Sequence, residues 1–151
     1  MITVTGLDEL RTMAGRDLGH SSWLEVTQER VDAFAEATGD HQWIHVDVQR
    51  AQAGPFGGTI AHGYLTLSLV IPFFAEILQV DGVKMGVNYG LDKVRFPSPV
   101  RVGSKIRLAA RIAGIEEVAR RCLQVTLDFT VQIEGVDKPA CVAQPIYRYY
   151  A

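Results

Sequence analysis

Residues 64–78 read Tyr64-Leu-Thr-Leu-Ser-Leu-Val-Ile-Pro-Phe-Phe-Ala-Glu-Ile-Leu78. If the stretch is helical, Leu65, Leu67, Leu69, Val70, Ile71, Phe73, Phe74, Ile77 and Leu78 surround the axis almost completely, and a helix without a polar stripe has to be buried. Pro72 lacks the N–H that an interior helical position donates, so it should kink the helix or end it early. Beyond Asp81 the period changes to two. Residues 83–96, 104–117, 121–134 and 139–150 each read as strands. The clearest alternates Leu123, Val125, Leu127, Phe129, Val131 and Ile133 with Gln124, Thr126, Asp128, Thr130, Gln132 and Glu134. Pro97 and Pro99 punctuate the first connection, Gly135 to Lys138 form a turn, and Pro145 marks an edge or a bulge in the last strand. Together the strands read as an antiparallel meander with one apolar face. Only the 64–78 helix is greasy enough to cover that face, so the predicted fold is α+β, an antiparallel sheet wrapped around one long central helix. Such a sheet has edges, and a long edge is usually paired or covered, so a homodimer is expected.

Upstream, Thr27 is a suitable N-cap, Glu29 suits a first turn, Val31, Phe34, Ala35 and Thr38 recur at helical spacing, and Gly39 is a natural stop. A helix over 28–38 follows. Residues 40–63 are loop-like, with a short helix after Asp47 before Gly54, Pro55, Gly57 and Gly58 break any regular element. Loops this long in compact domains are often functional.

At 151 residues, with 48% apolar and 21% charged, residues 1–151 read as one globular domain. A net charge of −2 supplies no field toward nucleic acid or anionic lipid, which leaves small molecules and proteins as partners. Met1 to Leu10 carries acids where a secretory signal needs a basic and then an apolar region, and no run of about 18 apolar residues could span a bilayer. A soluble, cytoplasmic protein is expected. Cys122 and Cys141 lie in strand-like stretches without a Cys-x-x-Cys pair and read as reduced core residues. The charge is uneven: residues 1–60 hold nine acids and four arginines, whereas residues 81–111 hold Lys84, Lys93, Arg95, Arg101, Lys105, Arg107 and Arg111 against Asp81 and Asp92. That basic stretch is either an anion-binding surface or a solvated strand face, because Lys105, Arg107 and Arg111 alternate with apolar neighbours.

No Gly-x-Gly-x-x-Gly, Gly-x4-Gly-Lys-Ser/Thr or Gly-x-Ser-x-Gly motif is present, which removes the usual support for nucleotide hydrolysis and serine-esterase chemistry. His41 and His45 have the four-residue spacing of zinc proteases, but Gln42 stands where the catalytic Glu would be and Gly39 has just ended the helix. Asp40, Asp47 or His62 as a third ligand is a combination that any chain of this size offers by chance, so no metal is assigned. More informative is a carboxylate and an imidazole, Asp40 and His45, in one loop directly after a helix stop.

The segment Phe34-Ala-Glu-Ala-Thr-Gly-Asp40-His-Gln-Trp-Ile-His45-Val-Asp-Val-Gln-Arg-Ala51 resembles the hydratase-2 motif of the MaoC-like dehydratases, the R-specific enoyl-CoA hydratases of the hotdog fold. Gly39, Asp40, Ile44, His45 and Ala51 match; Gln42 and Trp43 replace Asn and Pro. Gly58-Thr-Ile-Ala-His-Gly63-Tyr64, Val87 to Phe96 and Pro99 to Gly103 also agree with the family, in order. The resemblance implies a cofactor-free homodimer of hotdog fold that reversibly adds water to trans-2-enoyl-CoA, or its acyl-carrier-protein equivalent, giving the (R)-3-hydroxyacyl thioester. Hydration needs a base for the water, a proton for C2 and a partner for the thioester oxygen. By resemblance Asp40 and His45 hold the water, with Asp40 the candidate base and His45 its orienting partner, and the N–H of Gly63 faces the oxygen. The division between Asp40 and His45 stays open. His62, Tyr64, Asn88 and Arg95 are candidate substrate-binding residues, against the plainer reading that each is structural; Tyr147, Tyr149 and Tyr150 read as edge packing. The basic stretch would suit the phosphates of CoA or an acidic carrier protein. Two alternatives stand beside this reading, a hotdog acyl-CoA thioesterase and a non-catalytic thioester-binding subunit.

Overall fold

A computed structural model describes residues 1–151. The chain opens with β1 (Ile2–Thr5), α1 (Gly6–Arg11), β2 (Asp17–His20) and β3 (Leu24–Glu25). Helix α2 (Gln28–Thr38) begins where Thr27 accepts the Arg30 N–H and ends at Gly39, whose φ of 79° suits a residue without Cβ. Two short helices follow, α3 (Trp43–Val46) and α4 (Val48–Gln52), the second capped by Asp47. The foreseen helix after Asp47 is therefore present, and α3 precedes it in a stretch that reads as loop.

The central helix comes in two pieces, α5 (Gly63–Ser68) and α6 (Val70–Ile77), interrupted at Leu69. Pro72 has no N–H to give the Ser68 carbonyl and its ring crowds that carbonyl, so the kink falls one turn upstream of it. The chain then passes directly into β4 (Leu78–Asp81), which pairs in parallel with β1. Neither four-residue strand is long enough to show a period. The remaining strands are β5 (Met85–Arg95), β6 (Lys105–Ala119), β7 (Cys122–Ile133) and β8 (Val136–Tyr150), matching the four expected.

Their order departs from a simple meander. The main sheet runs β2-β6-β7-β8-β5, with β3 also on β6, so β5 lies beside β8 and not beside its successor β6. The connection through Pro97 and Pro99 does not turn back on itself. It is held against residues 59–61 by Ala61 N–H to Val100 O at 2.8 Å and Val102 N–H to Thr59 O at 2.9 Å. Strand β8 is consequently interior, and Pro145 sits opposite Leu91, where the β5 register shifts before Val94. Neither reading of Pro145 holds as expected: the strand is interior, and the bulge opposite Pro145 falls in β5 and not in the last strand.

The sheet curls around α6, whose Val70, Phe73, Phe74 and Ile77 join Leu108, Ile112, Leu127 and Phe129 in the core. Tyr147 packs there against Phe74 and Phe129 and is core, not edge. The central helix is covered on one side only: Tyr64 is 73% and Ile71 48% exposed. Its all-round apolar character thus leaves a bare face, and Met85, Val87, Tyr89 and Leu91 on the edge strand β5 are exposed as well. Cys122 and Cys141 are buried and free, and burial pushes the Cys141 thiol up to about 11. On β6, Ile106, Leu108, Ala110 and Ile112 are buried while Lys105 and Arg111 are exposed and Arg107 lies over the Trp23 ring, which favours the solvated-face reading. No helix is long and apolar enough to cross a membrane.

Candidate active site

The stop at Gly39 turns the chain out of α2, and Asp40 follows in a tight bend in which its Oδ1 accepts the Gln42 N–H at 3.3 Å. Helix α3 then carries His45 inward, where it is 6% exposed. Its Nδ1 lies 2.7 Å from the Ile60 carbonyl oxygen. A carbonyl only accepts, so Nδ1 carries the proton and Nε2 presents a basic lone pair. The segment that supplies this carbonyl is the loop preceding the central helix, bound to α3 by Ile60 N–H to Ile44 O at 3.0 Å.

His62, at the N-cap of α5, is 3% exposed. Its Nε2–H donates to the Asp40 carbonyl at 2.9 Å, its ring stacks on His45 with centroids 3.8 Å apart, and Phe34 covers it at 4.9 Å. Its Nδ1 is buried without a partner. One ligand atom each of Asp40, His45 and His62 lies within 4.8 Å of the others. A water donating both hydrogens through bonds of about 2.8 Å needs acceptors roughly 4.6 Å apart, a separation that the 4.8 Å limit admits. The same trio has donor types that suit a cation. However, Nδ1 of His45 and Nε2 of His62 are already given to carbonyls, which leaves each ring a single free nitrogen.

The environment keeps His45 neutral. Desolvation by burial is the largest influence and, with the neighbouring His62, lowers its pKa from 6.5, against the Ile60 hydrogen bond and the Asp40 charge, which raise it. His45 opens on a cleft of about 360 Å³ that Gly63, Thr66, Phe56, Phe96 and Pro99 also line. Gly63 begins α5, so its N–H has no intrahelical acceptor, and a Cβ there would stand 3.2 Å from the Phe96 ring. Glycine thus leaves room between helix and Phe96.

The structure brings Asp40, His45 and His62 together, and His45 and Gly63 line one cleft, whose lining does not include Asp40. It does not bring Tyr64, Asn88 or Arg95 to this cleft. Tyr64 points outward from α5; Asn88 lies on β5 beside a second cavity, of about 380 Å³, with Ile71, Phe74, Tyr147 and Tyr149; Arg95 donates to the neighbouring Val94 carbonyl on the rim of a third, beside Lys93. His41 is solvent-exposed, 3.9 Å from Glu36. None of the seven cations of residues 81–111 lines the cleft beside His45. The reading of the sequence missed three supports. Trp43, in place of the family proline, packs its ring 3.1 Å from where a Gly54 Cβ would be and carries the Arg50 guanidinium at 4.3 Å, tying α3 to the glycine loop. Phe96 walls the cleft, and Gln28 reaches the His45 carbonyl. The Trp43 departure from the family pattern was a visible signal; Gln28 and Phe96 carried none, because both contacts are long-range.

Comparison with known proteins bears on the family and the fold. Residues 9–133 match the family described as MaoC like domain. The chain is 51% identical, over all of both chains, to 3-hydroxyacyl-thioester dehydratase Z of Mycobacterium tuberculosis. Among solved structures it resembles a monoamine oxidase regulatory protein from Archaeoglobus (TM-score 0.81, 22% identity, 99% of this chain and 98% of that one). It also resembles the (R)-hydratase from A. caviae involved in PHA biosynthesis (TM-score 0.73, 22% identity, 89% of this chain and 94% of that one).

Proposed function

The chain belongs to the MaoC-like dehydratase family, with the hotdog arrangement of sheet and central helix, and on that premise we propose that residues 1–151 form one R-specific 3-hydroxyacyl-thioester dehydratase domain acting in the cytoplasm. The reaction is a hydro-lyase one, the reversible exchange of an (R)-3-hydroxyacyl thioester for the trans-2-enoyl thioester and water. The observation that carries the site is the Asp40–His45 pair, a carboxylate and an imidazole with ligand atoms within 4.8 Å of each other, of which His45 opens on the cleft that Gly63 lines.

In the hydration direction, a water gives one hydrogen to the Asp40 carboxylate and the other to His45 Nε2, leaving an oxygen lone pair for C3. The new C3–O bond pushes the double-bond electrons through C2 onto the thioester oxygen, which the Gly63 N–H meets. A proton leaves the water for this pair, and the pair returns one to C2, so protons balance. Burial that holds His45 neutral keeps Nε2 available as acceptor. Dehydration is the same path reversed. Acyl-CoA or acyl-carrier-protein thioesters are the substrates on this reading.

A homodimer is part of the proposal. Strand β5 is an uncovered edge of eleven residues, and Ile71 on the bare helix face shares one cavity with Val87 and Asn88 of that edge. A second copy would cover both.

The test is to mix the purified protein with crotonyl-CoA and follow the enoyl-thioester absorbance beside a thiol reagent. Loss of absorbance without free CoA is expected. Free CoA would establish a thioesterase instead, and silence with crotonyl and longer enoyl thioesters alike would leave the non-catalytic reading.

A further inference from the structure

His45 is held at two points, its ring Nδ1 and its main-chain carbonyl, and one side chain outside the loop stands behind both. Gln28, on the first turn of α2, donates from Nε2 to the His45 carbonyl at 2.8 Å and to Asp32 Oδ1 at 2.8 Å. Its Oε1 accepts the Thr59 hydroxyl at 2.6 Å. The amide orientation follows, since the flipped form would set its oxygen against two acceptors. Thr59 is 5% exposed and adjoins Ile60, whose carbonyl takes the His45 Nδ1–H. The His45 carbonyl lies in the last turn of a four-residue helix, where no intrahelical donor reaches it, so Gln28 supplies the missing partner. Gln28 therefore joins the main chain of His45 to the loop segment that sets the tautomer of its ring. All three bonds of the Gln28 amide are used, and each is long-range or helix-anchored.

We infer that Gln28 and Thr59 are positioning residues that act through His45, fixing both the place of the ring and its Nδ1–H tautomer. The inference rests on the reading of His45 as the group that handles the water. Neither residue touches the cleft, so neither meets substrate. A displacement of about 1 Å at a reacting group costs up to about 100-fold, and this sets the scale expected.

The experiment compares Thr59→Val, Thr59→Ser, Gln28→Met, the Thr59→Val/Gln28→Met double variant and His45→Ala in the hydration assay. It is paired with thermal melting and 15N NMR of the histidine rings at about pH 8, where imidazole is neutral. Thr59→Val is expected to lower kcat about tenfold at unchanged KM, with Thr59→Ser near wild type; Gln28→Met should lose about 10- to 100-fold, and the double variant no more, because both act through one chain of bonds. The His45 ring should report a single Nδ1–H tautomer in the wild type and a mixture in Thr59→Val and Gln28→Met. Folded variants with wild-type kcat and an unchanged tautomer would overturn the inference while His45→Ala abolishes turnover, as would losses confined to KM or a fall in kcat with the tautomer intact. If His45→Ala itself turns over normally, the reading of His45 fails instead. Should Gln28→Met not fold, the Thr59→Val and Thr59→Ser pair, the first replacing the hydroxyl by a methyl and the second keeping it, decides the matter alone.

Discussion

Replacing Asp40 by Asn separates charge from shape at the proposed water site. The Asp40 side chain is 53% exposed, and its one close local bond is the 3.3 Å contact from the Gln42 N–H to Oδ1. An Asn amide retains that acceptor, so the bend after Gly39 persists and the change in folding stability should stay within about 0.5 kcal/mol. The other oxygen, Oδ2, faces His62 Nε2 at 3.9 Å. In Asp40→Asn that position becomes an NH₂ group, which gives hydrogens where the clamped water also gives them and takes no proton. Both functions of the carboxylate there are lost together. General acid–base groups contribute about 10²- to 10⁴-fold, so kcat should fall by that factor, corresponding to about 2.7–5.4 kcal/mol of barrier at 1.36 kcal/mol per decade. The assay is enoyl-CoA absorbance under saturating substrate, with a parallel melting curve to show an intact fold. A folded Asp40→Asn protein turning over within a few-fold of wild type would refute the water-clamp argument, since no carboxylate lines the cleft beside His45 to take its place.

Three other outcomes follow from the same geometry. Because burial lowers the His45 pKa from 6.5, kcat/KM should hold its plateau as pH falls through 6.5 and break only below it; a pH–rate profile breaking at or above 6.5 would contradict a buried, neutral base. Glu76 on α6 accepts the Ser22 hydroxyl at 2.7 Å and the Ser22 N–H at 2.9 Å, and these bonds hold its carboxyl below the ordinary 4.5. Its folded-state pKa is the lower one, so its contribution is present above pH 4.5 and is lost as pH falls through the depressed value; urea titrations from pH 6 to pH 3 should show a smaller decline for Glu76→Gln than for wild type. Gly63→Ala sets a methyl 3.2 Å from the Phe96 ring, so Phe96 must yield by a few tenths of an ångström. A stability loss of about 1 kcal/mol with a drop in kcat/KM is expected, read by melting and turnover, and unchanged turnover would show that the helix start does not face the substrate.

Much of this protein is legible in the chain because it rests on short-range rules. Thr27 and Gly39 bound α2 through a side-chain cap and a left-handed residue, both decided within one helical turn. The alternation from Leu123 to Ile133 makes a strand of which one face must be buried, and Pro72 interrupts the central helix through its own missing donor. Asp40 and His45 are readable as a pair because a helix stop and a one-turn helix put them in the same loop. What the chain alone leaves open depends on segments far apart in sequence. The pairing of β5 with β8 is decided by the 59–61 and 100–102 backbone bonds, which no local pattern encodes. The apolar face of the central helix left uncovered, with Tyr64 and Ile71 exposed, emerges only once the sheet has curled to one side of it. Likewise, the tautomer of His45 is set by a carbonyl fifteen residues away, and the place of its ring by an amide seventeen residues away. Residue type determined which groups are able to handle a proton; only packing decided which nitrogen faces the cleft, because hydrogen bonds are short and directional and their partners are delivered by the fold.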